Sequence, residues 1–341
     1  MTRSAGARHG IVLLLASVLP VMAINSLVPV LPMLLQEFGD VPGSSLLVPM
    51  ALTIPALCVA LFSPLAGWLS DRIGRKRLLV AALLLYALAG VVPLLLADLV
   101  EIMVARVFLG IAEAAIMTVA TALIADYFLG EQRDKWFALQ VGFVSIAAIV
   151  LVALGGLLGE GFGSRGPFLM YFVAIPIAVA AALILFEPGE LSHQADTDTG
   201  GFPVGKVLPL IAVTFGVGLL FYTIIVQLGQ ILQLAGPASP ARIGMAGAGA
   251  NLGMVLGSYL FRRANATAGA ALLATGLALC AIGYAGLWLA PGFWSLAVAA
   301  FVACAGCGLL LPNMLTWTVS LLPGRQSSQS PVLSRRIPSV D

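Results

Sequence analysis

Residues 67–77 read Gly67-Trp68-Leu69-Ser70-Asp71-Arg72-Ile73-Gly74-Arg75-Lys76-Arg77 and fall between two long apolar runs. Gly67 permits a close helix approach, Gly74 permits a tight turn, and Asp71 is an anion among the cations Arg72, Arg75, Lys76 and Arg77. A basic stop-transfer cluster would work without a glycine at each end or an acid at the helix terminus. The stretch therefore reads as a structured loop joining two membrane helices, 46–69 and 78–97. A helix needs about 20 apolar residues to cross the hydrocarbon. On that criterion eight further runs accompany this pair: 10–31, 100–125, 136–158, 167–186, 207–228, 242–261, 268–289 and 293–322. Ten spans predict an all-α polytopic membrane protein.

Composition leads to the same solvent. Of 341 residues, 60% are hydrophobic and 9% charged, with a mean hydropathy of +1.06. A soluble domain carries about 25% charged residues, so lipid must surround this chain. The formal net charge of +2 supplies no basic face for nucleic acid. Cys58, Cys280, Cys304 and Cys307 all sit inside apolar runs, which argues against a secreted disulfide framework. Cys304-x-x-Cys307 is flanked by Ala303, Ala305, Gly306 and Gly308 and reads as small-residue packing, since a zinc site needs more ligands than are present. No hydrolase triad, metal centre or phosphate loop is legible, so the chain is expected to be no enzyme and to need no cofactor. The first run follows Arg3 and Arg8 like a signal peptide, but it continues through Asn25 to Pro32 and reads as a retained helix.

Lys and Arg in alternate loops set the orientation, because they remain on the cytoplasmic side. With the N-terminus inside, the inner segments hold Arg3, Arg8, Arg72, Arg75, Lys76, Arg77, Arg133, Lys135, Lys206, Arg262, Arg263, Arg325, Arg335 and Arg336. The outer loops hold only Arg165 and Arg242, and Arg106 is left within a span. A miscount by one helix would scramble this alternation, so both termini are expected in the cytoplasm. The organisation expected is a six-helix bundle over 1–186, a cytoplasmic linker over 187–206, an incomplete four-helix bundle over 207–322 and a disordered tail over 323–341. The linker carries His193, Asp196, Asp198 and paired glycines, a solvated composition. The Asn265-Ala266-Thr267 sequon lies beside cytoplasmic arginines and reads as chance.

Residues 67–77 resemble the signature loop of the major facilitator superfamily, with Gly67, Asp71, Arg72, Gly74, Arg75 and Lys76 at the pattern's positions. The resemblance implies a conformational latch on the cytoplasmic face. Arg106-Val-Phe-Leu-Gly110 is similar to the Arg-x-x-x-Gly of the fourth helix in proton-coupled members, and Asp126-Tyr127-Phe128 with Gly130 and Arg133 resembles the loop after it. Asn25 to Pro32 resembles the first helix of the drug-efflux branches. Gly257 to Arg263 is a weak echo of the signature loop about 190 residues on, as an internal duplication would place it. There are two departures. Ala153-Leu154-Gly155-Gly156 lacks the proline of the efflux branches' fifth-helix motif, and ten spans stand where the family has twelve. The missing pair would be the last two, including the helix against which the latch docks. The polar tail is compatible with truncation or an altered reading frame.

An ionised group at mid-bilayer costs roughly 2.5–3.5 kcal/mol on insertion scales, so its default explanation is functional. Arg106 and Glu113 lie seven residues apart, on one helical stripe with Gly110 and Met117, and this stripe is expected to face a central cavity. Glu113 is the carboxylate well inside a span and so the candidate for proton coupling, with Arg106 as its neighbour. The resemblance implies that spans one, four, seven and ten surround the cavity, which adds Asn25, Tyr222, Gln227 and Asn313 as candidate cargo contacts. Glycines at 249, 253 and 257 are expected to form one close helix seam. The resulting expectation is alternating-access transport, with proton-coupled efflux of a small, amphipathic or weakly charged organic molecule by a monomer in a bacterial inner membrane. Its partners would be cargo, protons and the bilayer. Metabolite uptake and a truncated, non-transporting membrane protein are the alternatives.

Overall fold

A computed structural model describes residues 5–188, 204–263 and 269–320, with side chains omitted at 204–211, 269–270 and 315–320. Most of the expected linker, the sequon and the tail lie outside the described residues. There is no strand among those described. In hydrocarbon every backbone N–H and C=O must be satisfied within its own segment, and the helix does this. The helices are α1 (Ala7–Asn25), α2 (Leu31–Glu37), α3 (Ser44–Ile73), α4 (Arg75–Val91), α5 (Leu99–Tyr127), α6 (Gly130–Phe162), α7 (Ala174–Ile184), α8 (Val204–Gln233), α9 (Pro240–Arg263), α10 (Gly269–Leu289) and α11 (Phe293–Ser320). With short 3-10 segments they make ten lengths long and apolar enough to cross a membrane.

Prolines and caps explain where these elements break. The first span runs through Ala7–Glu37, well past the expected end at residue 31. It is interrupted by the 3-10 turn Val28–Val30, where Pro29 has no N–H to give to the ladder. The Asp98 carboxylate accepts from the N–H groups of Val100 (2.7 Å) and Glu101 (3.2 Å), which caps α5. Helix α6 begins six residues before the expected position 136, because Glu131 to Lys135 form an exposed helical turn beyond the apolar stretch.

Buried side chains gather into two main cores. The larger joins α1 to α7 around Leu13, Leu79, Leu83, Leu109 and Ile116, and takes in Ile225 and Val226 of α8. The second joins α8, α9 and α11 around Leu228, Leu232, Ala250 and Ala303. Glycine brings the two groups together. A Cβ at Gly156 would sit 2.5 Å from the Pro240 carbonyl oxygen and one at Gly244 2.8 Å from that of Val152, while Gly155 seats α6 on the Ser26 carbonyl oxygen (2.1 Å) within the larger group. Beside this crossing of α6 and α9, the Ala241 N–H donates to Glu160 at 3.2 Å, and Gly229 of α8 lies against Pro32 and Val28. All of these contacts lie at the end of the bundle away from residues 67–77. The expected seam at 249, 253 and 257 is corrected. Gly253 and Gly257 do meet the carbonyls of Phe301 and Ala305 on α11, but Gly249 has open space beside it, because a helix turning 100° per residue carries every fourth position off the contact line.

Candidate functional site

Arg106 lies in the middle of the larger core, 1% exposed. Its Nε donates to the Ala51 carbonyl (2.9 Å), Nη2 to the Ala23 carbonyl (2.7 Å) and Nη1 to the Tyr171 hydroxyl (2.7 Å). Each carbonyl needs an outside donor for a reason visible in the sequence. Four residues after Ala51 stands Pro55, which has no N–H. Four residues after Ala23 stands Leu27, whose N–H bonds instead to Ile24, because α1 ends at Asn25. The guanidinium thus repairs two helix breaks at once, a use of its fixed fork of donors. Gly110, one turn along α5, makes this possible: a Cβ there would sit 2.6 Å from Pro55 Cα and 2.7 Å from Cys58 Cβ. A cavity of about 20 Å³ borders Arg106 among Leu27, Ala51, Leu52, Ile102 and Phe168, room for about one water.

Glu113 is 2% exposed, and its Oε1 is buried without a hydrogen-bond partner. Arg106 and the tyrosines Tyr86, Tyr171 and Tyr222 stand in its neighbourhood. The shared stripe is not uniform: Arg106, Gly110 and Glu113 are buried, whereas Met117 is 46% exposed. Asn25 is buried at the end of α1 and accepts from Asn251 of α9 across the line between the two cores, at 3.4 Å. Tyr222 and Gln227 are half-buried on α8, and Gln227 Oε1 has no hydrogen-bond partner. Asn313 is buried on α11. The structure therefore brings Arg106, Glu113 and Tyr222 within electrostatic reach and joins Asn25 to Asn251, while Asn313 belongs to the other group of helices.

The loop at 67–77 is built as a charged knot. Gly74 adopts φ +97°, a conformation L-residues avoid, and so turns α3 into α4. Gly67 plays a smaller part than expected: a Cβ there would meet Thr118 at 3.7 Å, an ordinary contact. Arg75 pairs with Asp71 at 3.3 Å and more closely with Asp126 at the end of α5, and it also donates to the Ala122 carbonyl. Arg72 lies over the Trp68 ring, 4.1 Å from its centroid. Sequence reasoning missed Glu187, whose carboxylate accepts from the Lys76 N–H at 3.2 Å and so closes the N-terminus of α4. The sequence pattern alone places it first in a solvated linker. Its neighbour Phe186 stacks on Tyr127, and His9 meets both rings edge-on. Only proximity in the fold could have signalled these partners, which come from α1, the end of α5 and the segment after α7. The Asp71 side chain itself is 67% exposed.

Ten helices long and apolar enough to cross a membrane, with buried polar residues among them, define a multi-pass membrane protein. The chain matches the family model "Major Facilitator Superfamily" over residues 13–330, and it belongs to that family. It is 27% identical over 326 residues to the tetracycline resistance protein, class E, of Escherichia coli, covering 89% of this chain and 73% of that one. It is 30% identical over 176 residues to the class H protein of Pasteurella multocida (52% and 44%). It is also 29% identical over 183 residues to multidrug resistance protein 2 of Bacillus subtilis (52% and 44%). The chain spans about half the length of most of these curated relatives. A crystal structure of a bacterial homolog of the human lysosomal transporter Spinster, inward-facing and occupied, superposes with a TM-score of 0.67 at 18% identity, covering 93% of this chain and 79% of that one.

Proposed function

We propose that this protein is a secondary carrier that expels a small organic molecule across a bacterial inner membrane in exchange for protons, by alternating access. Residues 1–186 and 207–322 act as the two rocking parts, with 187–206 as the linker between them and both termini in the cytoplasm. The observation that carries the reading is Glu113: a carboxyl group 2% exposed, at mid-span, with one oxygen free of any hydrogen-bond partner. A buried carboxylate without donors is expensive, and taking up a proton relieves that cost. Arg106 sets the local field without neutralising Glu113 directly, since its donors are committed to two carbonyls and a hydroxyl. Asn25, Tyr222, Gln227 and Asn313 supply cargo contacts. The loop at 67–77 acts as the latch, its exposed Asp71 being available to a cytoplasmic partner surface when the carrier closes.

The resistance functions in the names of the relatives favour efflux over uptake, and the apolar surroundings favour an amphipathic or weakly charged cargo. The family is one of carriers, and catalysis of a covalent reaction is not part of the reading. The deciding experiment is transport in sealed, inverted vesicles holding the full chain. Cargo accumulation that rises with an imposed proton gradient and collapses with a protonophore supports the reading. Accumulation indifferent to the gradient removes the proton, and no movement of any tested cargo makes the protein a non-transporting membrane component.

A further inference from the structure

The Cys304-x-x-Cys307 spacing reads as packing material, yet the fold gives Cys307 a companion sulfur from another helix. Cys304 belongs to the core shared with Ile224, Ala300 and Ala303, whereas Cys307 belongs to a separate cluster with Val217, Cys280 and Leu310. Cys307 Sγ on α11 lies 3.7 Å from Cys280 Sγ on α10, and both thiols are free and buried.

The two backbones are held together here by glycine. A Cβ at Gly306 would sit 2.7 Å from Cys280 N and Sγ, one at Gly276 2.7 Å from the Leu310 side chain, and one at Gly283 2.4 Å from Ala303 N. A disulfide requires sulfurs about 2.05 Å apart on a pair of closely approached backbones.

We propose that Cys280 and Cys307 form an oxidisable dithiol, a modification site that a membrane-permeant two-electron oxidant closes into a disulfide fastening α10 to α11. Diamide represents that class of oxidant. One thiol adds across its N=N bond, forming a sulfur–nitrogen bond while the proton passes to the other nitrogen. The second sulfur then attacks the first, the S–S bond forms as the S–N bond breaks, and the second thiol proton ends on the departing nitrogen. Two electrons leave the cysteines and reduce the azo group to a hydrazine. The apolar surroundings keep the glutathione pool of the cytosol away from the product, so a disulfide formed here persists until a permeant reductant reaches it. Helix α10 gains most from the bond, since its packing is mainly on α11, with a further tie from the Tyr284 hydroxyl to the Leu220 carbonyl of α8.

The test uses the full chain in native membrane vesicles, treated with diamide, then denatured, alkylated and digested between the two helices for mass spectrometry. The expected result is loss of two of the four alkylatable thiols, a linked peptide joining Cys280 to Cys307, and full recovery of both with dithiothreitol. Cys304→Ala should link as the parent does, and Cys280→Ala should keep its three remaining thiols open. Four open thiols after treatment of the parent chain, a link through Cys304, or a link only between separate chains would overturn the proposal.

Discussion

Arg106 is a residue whose charge and whose shape have separate tasks. Its shape satisfies the Ala51 carbonyl orphaned by Pro55 and the Ala23 carbonyl at the end of α1, and its charge acts on Glu113. Arg106→Lys keeps the cation but cannot span three acceptors set in different directions. Each buried acceptor left without a donor costs about 1–3 kcal/mol, so this variant should lower the melting temperature of the purified protein in detergent, and Arg106→Ala should lower it further. Glu113 poses the complementary case. Glu113→Gln retains an acceptor and loses the titrating proton, so proton-driven accumulation should vanish while downhill exchange of cargo continues. The parent should show a pH-dependent rate and the variant a flat one. A variant that still pumps against a gradient with the parent's pH profile makes Glu113 a structural residue.

Among the elements, the contact between α3 and α5 shows how a sequence motif becomes geometry. The Arg-x-x-x-Gly spacing places Gly110 one turn from Arg106, against the backbone of Pro55. Gly110→Val would force α5 off α3, an overpacking cost of about 1–3 kcal/mol, and the same displacement would pull Arg106 away from Ala51. Thermal melting of Gly110→Val should therefore fall together with transport. At the turn from α3 to α4 the backbone of Gly74 is in a region other residues pay about 1–3 kcal/mol to enter. A Cβ there would also press on the Glu187 carboxylate, 2.8 Å away. Asp71 is a different kind of residue, mostly exposed and tied to Arg75. Asp71→Asn should slow the transport cycle and leave cargo affinity nearly unchanged. Weakened binding with an unaltered exchange rate would place Asp71 at the cargo site instead.

At the scale of the whole molecule, the two groups of helices meet through Gly156 and Gly244, where α6 crosses α9 at the end away from residues 67–77. Which end faces the cytoplasm is a question of charge. The positive-inside count assigns residues 130–135 to the cytoplasm and Asp40 to the outside, and both sites are exposed. Cysteine placed at position 134 should resist an impermeant thiol reagent in intact cells, and cysteine at position 40 should react. The four native cysteines are buried and add little background. The reverse labelling pattern would invert the topology.

Much of this was legible in the sequence because lipid is a strict solvent. Apolar length alone located ten spans, and residues 67–77 with Arg106 and Gly110 were enough to identify the family. What the sequence could not reveal were pairings between residues far apart in the chain. Nothing in the local pattern says that Arg106 bonds to carbonyls 55 and 83 residues away. Nor does it say that Glu187 caps α4, that Asp126 holds Arg75, or that Cys307 faces Cys280 in preference to its CxxC neighbour. Hydropathy is summed along the chain, so one sequence determines the spans. Hydrogen-bond partners and sulfur contacts depend on which faces of separate helices are turned together, and close packing through glycine and proline decided that only in the tertiary structure.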